Sequence, residues 1–185
     1  MKPRTYEDLR PQLRTGDIVL FAGRSAVSKL IRCVTHSRWS HVGMIIRYEP
    51  DAVFVWESTV RKGVALSAFS RRIATYPGHV AVRRRRNILT DTEESAIHEF
   101  RRRVSGTGFE RSPFQMLGSA LQGIHNRADE SRFFCSELVA ATFKAADLLP
   151  SDRPSNEYTP DDFALLLTGC LGESHHPLVE IFDAR

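Results

Sequence analysis

Three observations predict an α+β fold for this chain. Two adjacent β-rich runs read as a hairpin, helical patterns precede and follow them, and no regular βαβ alternation connects the elements. At 185 residues the chain can bury a proper core, and no repeat, low-complexity segment or linker divides it. Residues 1–185 are therefore expected to form a single domain.

After a short polar N-terminal turn, "TGDIVLFAG" reads as a strand, with Gly16 and Asp17 at its start. "SAVSKLIRCVTHS" follows as a helix, because Val27, Leu30, Ile31 and Val34 recur at helical spacing. "SHVGMIIRY" and "AVFVWEST" are β-rich and joined by Glu49-Pro50-Asp51, whose chemistry is that of a turn, so they form an antiparallel hairpin. "GVAL" and "HVAVRRR" add short strands. In "TDTEESAIHEFRRRVSG", Thr90 and Glu93 form a capping box, while arginines and Gly106 mark the helix end. "SPFQMLGSALQGI" predicts a second helix. A third begins near Cys135 and runs to about Leu149, where Pro150 stops it. "TPDDFALLL" repeats the start signal, with Thr159 as cap and Pro160 at the first helical position. "PLVEIF" is a candidate edge strand, and Ser151 to Tyr158 a loop.

Composition narrows the class. The chain is 42% hydrophobic and 26% charged, as expected of a globular protein, and no run reaches the roughly 18 apolar residues of a spanning helix. Its first residues lack the apolar stretch of a secretory signal, so the default expectation is a cytoplasmic protein, with a specialised export route as the exception. Cysteines at 33, 135 and 170 show no C-x-x-C spacing, which argues against structural zinc and a disulfide framework. Arginines concentrate at Arg83–Arg86 and Arg101–Arg103 within a net charge of +4. These clusters read as solvated surface, with an anionic surface as the alternative partner. No aromatic interleaving or fold signature points to specific nucleic-acid binding.

The chemistry centres on "RFFCSELVAATF". Cys135 stands where a helix is predicted to begin, and helix N-terminal amides favour a thiolate and can stabilise an oxyanion. A cysteine hydrolase also needs an imidazole and a group to orient it. His41 opens one hairpin strand. Glu57 lies in the other, otherwise apolar, where an ionised carboxylate requires a partner. A hairpin centred on Glu49 sets residues whose numbers sum to 98 opposite each other, and so pairs His41 with Glu57. A slip of one residue would put Glu57 on the other face. Trp39 and Ser40 flank the histidine and are candidate substrate-lining residues, packing being the alternative for Trp39.

In order and spacing, "TGDIVLF", "SHVGMII", "WEST" and "FFCSELVAATF" resemble the permuted papain-like amidases of the NlpC superfamily, the YiiX and YaeF group. The resemblance spans roughly Thr15 to Leu149. It implies a circularly permuted papain-like fold, an antiparallel sheet or small barrel packed against helices. It further implies Cys135 as nucleophile, His41 as general base and Glu57 as the orienting group. Lecithin–retinol acyltransferase-like proteins share the permuted order but commonly place a second histidine where Glu57 stands. The substrate expected from the resemblance is a peptide, peptidoglycan or lipid-linked amide, cleaved through a thioester.

Other polar residues read as structural. Asp17 suits a turn, Glu137 the first helical turn, and Cys33 the core. His36, His79, His98 and His125 are isolated, and the His175-His176 pair has no third ligand in metal spacing, so no metal or other cofactor is expected. Two further functions stay open: an acyltransferase or phospholipase using the same thioester chemistry, and a catalytically silent binding module. A lipid substrate would call for a membrane-seeking segment; "FALLLTGCL" is the one candidate, and it reads rather as a core helix.

Overall fold

The computed structural model describes residues 5–35, 37–48, 50–59, 62–105, 130–165 and 179–181. In chain order the elements are α1 (Tyr6–Leu9), β1 (Ile18–Gly23), α2 (Ala26–Thr35), β2 (His41–Tyr48), β3 (Ala52–Thr59), β4 (Gly63–Ala68), α3 (Phe69–Ala74), β5 (Gly78–Arg83), α4 (Asp91–Ser105), α5 (Glu130–Ala145), α6 (Pro160–Ala164) and β6 (Val179–Ile181). Single 3₁₀ turns add Arg10–Gln12 and Ser155–Glu157. The fold is α+β. The six strands among the described residues form one open antiparallel sheet, ordered β4-β3-β2-β1-β5-β6, with the expected edge strand β6 on β5. The second predicted helix, residues 112–124, lies outside the described residues.

Strand β1 is buried along its whole length because both faces of the sheet are covered. Even-numbered residues of the central strands, among them Leu20, Val42, Met44 and Trp56, pack with Leu138, Val139 and Phe143 of α5. Odd-numbered ones, among them Val19, Phe21, Ile45 and Val55, pack with Leu9, Leu13, Phe69 and Ile73 on the other side. Period-two alternation thus gives each of the four inner strands two apolar faces, and the sheet two separate cores. Truncating Phe143 to alanine would cost about 3–5 kcal/mol at such a fully buried position.

The capping boxes form as their sequences require. Thr90 exchanges hydrogen bonds with Glu93, and Thr159 with Asp162. Two helices differ from expectation. Helix α3 carries no side-chain cap and only six residues, too few to show a periodic pattern. Helix α5 starts at Glu130, five residues before Cys135, because the polar Glu130-Ser131-Arg132 extends the helix without adding apolar periodicity.

The arginine clusters are not uniformly solvated, which corrects that expectation. Arg83 is 1% exposed, and its Nη1 donates to the carbonyls of Phe163, Ala164 and Leu165 at 3.0, 3.1 and 2.7 Å. It thereby closes the carbonyl end of α6. Arg85 is also buried, whereas Arg86, Arg102 and Arg103 are exposed. Among the described residues, no helix is long and apolar enough to cross a membrane.

Candidate active site

His41 is the first residue of β2 and Glu57 lies near the end of β3. The two strands pair with residue numbers summing to 100, as in Met44↔Trp56 and Tyr48↔Ala52. The expected register, summing to 98, is therefore off by two. Tyr48 and Ala52 close the ladder around a three-residue loop, whereas centring on Glu49 would have left a single residue to reverse the chain. Continued along the strands, the observed register sets Gly43 opposite Glu57, with His41 as its diagonal neighbour. A shift of two preserves the face, so His41 Nε2 still lies 2.7 Å from Glu57 Oε2.

Gly43 makes that diagonal contact sterically open. A Cβ at this position would lie 2.8 Å from Val55 Cγ2, 3.0 Å from the Trp56 carbonyl oxygen and 3.3 Å from Glu57 Cβ. Any larger residue at Gly43 would push against Val55, the Trp56 carbonyl and the base of the Glu57 side chain.

Glu57 has a second partner that the sequence reading missed. Arg72, on α3, donates from Nε to Oε1 at 2.7 Å and from a terminal nitrogen to Oε2 at 3.1 Å, a planar fork on the carboxylate. Its guanidinium lies 4.6 Å from the Phe21 ring centroid and 4.8 Å from that of Tyr76. Burial favours neutral Glu57, but the bonds and charges of His41 and Arg72 outweigh it and pull the carboxyl down to about 2. The available signal was Glu57 itself. A carboxylate on an apolar strand needs compensating donors, and one imidazole supplies a single bond.

Cys135 is fully buried and belongs to the core cluster on the α5 side of the sheet. Its sulfur interacts with the His41 ring by charge and side-chain hydrogen bond. His41 sits where its strand begins, with Glu57 and Arg72 on the face opposite α5, so its ring bridges the two faces. Glu57 occupies Nε2, which leaves Nδ1 as the ring nitrogen for Cys135. Burial opposes the imidazolium, but Cys135 and Glu57 together outweigh it and push His41 up to about 9. The early start of α5 corrects one expectation. Cys135 lies in the second turn, where its amide belongs to the helical ladder rather than to the unpaired N-terminal donors.

The remaining residues take other places. Trp39 is buried in the α5-side core. Ser40 donates its hydroxyl to the Phe21 carbonyl and accepts from the Gly23 amide, which fixes the start of β2 against β1. Their burial leaves neither side chain much surface for a substrate. Asp17 accepts from the amides of Arg14 and Arg85, and burial raises its carboxyl to about 7 against those bonds. Glu137 is not in the first turn. It is 6% exposed in the body of α5, and burial pushes it up to about 7. Cys33, expected in the core, is exposed. His36, His125, His175, His176 and Cys170 lie outside the described residues.

A family model described as "Permuted papain-like amidase enzyme, YaeF/YiiX, C92 family" matches residues 12–155. Among solved structures, the crystal structure of metalloprotein yiiX from Escherichia coli O157:H7 is similar at 26% identity and a TM-score of 0.53. The match covers 73% of this chain and 67% of that one. No curated protein matches. Among the described residues, no three His, Cys, Asp or Glu side chains gather to hold a metal ion. The fold, the matched residues and the structural neighbour agree: the chain belongs to the YaeF/YiiX family of permuted papain-like amidases.

Proposed function

We propose that this protein is a cysteine hydrolase that cleaves an amide through a thioester, with Cys135 as nucleophile, His41 as acid and base, and Glu57 as the orienting group. The observation that carries the reading is the His41 ring, held at Nε2 by Glu57 at 2.7 Å while Cys135 engages the same imidazole. Arg72 is a positioning residue. It touches no substrate in this scheme but fixes the carboxylate that fixes the ring.

In the first half-reaction the Cys135 thiolate attacks the carbonyl carbon and forms the C–S bond. The imidazolium gives its proton to the departing nitrogen as the C–N bond breaks. Water then attacks the thioester, His41 takes its proton, and the C–S bond breaks to return the thiolate. The Escherichia coli relative is called a metalloprotein, but a metal ion does not fit this donor set. Both Glu57 oxygens are taken, and the Arg72 guanidinium puts a positive charge where a cation would need the carboxylate.

The substrate class proposed is a peptide, isopeptide, peptidoglycan peptide or lipid-linked amide. Incubation with representatives of each, followed by intact mass, should trap an acyl group on Cys135. Cys135→Ala should abolish the adduct and lower turnover by about 10³-fold or more. Turnover unchanged in Cys135→Ala would sink the assignment, and an adduct that forms only from esters would move it to the acyltransferase or phospholipase class.

A further inference from the structure

We propose that a cleft at the end of the sheet remote from His41 is a binding site for a phosphate group. It has a volume of about 410 Å³ and lies between Leu13–Thr15 and Asn87–Leu89, with Arg47 and Arg85 in its wall. Arg47 follows His41 by six residues on β2, which sets the cleft about 20 Å from the histidine at strand rise. The site thus stands independently of the hydrolase reading.

The central observation is Arg85. It is 9% exposed, and its Nε is buried without a hydrogen-bond partner among the described residues. Two carboxylates reach Arg85 by charge alone, Glu93 and Asp17: Glu93 accepts from the Thr90 amide, and both Asp17 oxygens are engaged by backbone amides. A guanidinium nitrogen taken from water without an acceptor is costly, and an anion in the cleft that accepts from Nε would offset that cost. The backbone is shaped to hold this arginine. Gly16 has φ +89°, and a Cβ there would lie 2.9 Å from Arg85 Cδ. Only glycine both adopts that conformation readily and leaves room for the stem.

The other charges fix the sign and size of the ligand. Arg14 is exposed at the rim and adds a second cation. Arg47 is committed to the carbonyls of Arg10, Leu13 and Pro50, so it contributes field more than contact. The one acid in the lining, Glu94, lies 3.6 Å from His98 on its own helix. Two available guanidinium groups match a doubly charged oxyanion, whose oxygens accept forked donors. Leu13, Ile88 and Leu89 give the rest of the cleft an apolar lining suited to the body of a phosphate monoester.

The test uses the full chain and two probes. Inorganic phosphate, titrated against sodium chloride of equal ionic strength, should bind saturably by calorimetry and raise the melting temperature. Arg85→Gln should weaken binding at least about tenfold, and Arg14→Gln by a smaller factor. Vesicles of phosphatidylcholine with and without phosphatidic acid identify the source of the phosphate. Sedimentation that needs phosphatidic acid and Arg85 marks a lipid headgroup, whereas phosphate binding without sedimentation marks a soluble monoester. Failure of both probes, or affinity unchanged in Arg85→Gln, overturns the proposal. Should Arg85→Gln not fold, unchanged affinity in the exposed Arg14→Gln variant overturns it instead.

Discussion

His41 and Glu57 are diagonal neighbours across β2 and β3, not directly opposed ones, and their side chains still meet at 2.7 Å. The residue opposite Glu57 is Gly43, and its missing side chain leaves the diagonal path clear. Strand parity decides the face, while the exact pairing decides only the length of the reach.

Gly43→Ala should therefore be damaging in two ways. Overpacking against Val55 and the Trp56 carbonyl is expected to cost about 1–3 kcal/mol in chemical denaturation. Displacement of Glu57 should also lower kcat by at least about tenfold under conditions where the variant is fully folded. Unchanged kcat in a destabilised but folded variant would show that the diagonal contact does not orient the base.

Arg72 separates charge from packing. Arg72→Met removes a positive charge beside the imidazolium and one of Glu57's two partners, so the His41 pKa should rise above about 9. The alkaline limb of the pH–rate profile should move up with it. Removing one member of such a buried pair should cost about 3–5 kcal/mol in stability. Arg72→Lys keeps the charge without the fork, and should hold the limb in place while lowering kcat. A lower kcat with no movement of the limb in Arg72→Met would indicate packing alone.

The pair also predicts a stability window. Glu57 is depressed from 4.5 to about 2, so its contribution is full above pH 4.5 and is lost as pH falls through about 2. His41 is raised from 6.5 to about 9, so its contribution is full below pH 6.5 and is lost as pH rises through about 9. Together they contribute fully between pH 4.5 and 6.5. Glu57→Gln should flatten both limbs in a series of melting curves. Cys135→Ala should lower the His41 titration seen by NMR, because the sulfur is one of the groups that raise it.

Glu137 should act in the opposite sense. Its carboxyl is raised from 4.5 to about 7 by burial, so the folded state holds the proton longer than the unfolded chain. Stability attributable to this group falls as pH rises from 4.5 through 7. Glu137→Gln should raise the melting temperature at about pH 8 by a few degrees and leave it nearly unchanged at about pH 4.5. An equal shift at both pH values would mean that ionisation of Glu137 does not limit stability.

Much of the site was legible because it rests on local patterns. Apolar runs gave the strands, Thr90 and Thr159 gave their helix starts, and two-residue periodicity set His41 and Glu57 on one face. The register escaped because turn residues name a turn without fixing which pair closes it. Arg72 escaped because α3 is only six residues long and its arginine acts on a strand fifteen positions earlier. The start of α5 escaped because Glu130-Ser131-Arg132 lacks apolar periodicity. The burial of Arg83 and Arg85 is likewise tertiary. A run of four arginines looks solvated until α6 and the Gly16 turn come to lie against two of them.

The three carbonyls gathered by Arg83 bear on where the smallest folding fragment ends. The family match stops at residue 155, yet Arg83 inside it closes a helix beyond it, and Tyr158 and Phe163 fill the α5-side core. A fragment cut at 155 would strand a buried guanidinium beside an emptied apolar wall. Arg83→Met should destabilise the full chain and stabilise that fragment, a reversal of sign measurable by denaturant titration of the four proteins. That reversal would mean that the later segment helps the earlier one fold, and that a boundary drawn by resemblance falls inside one cooperative unit.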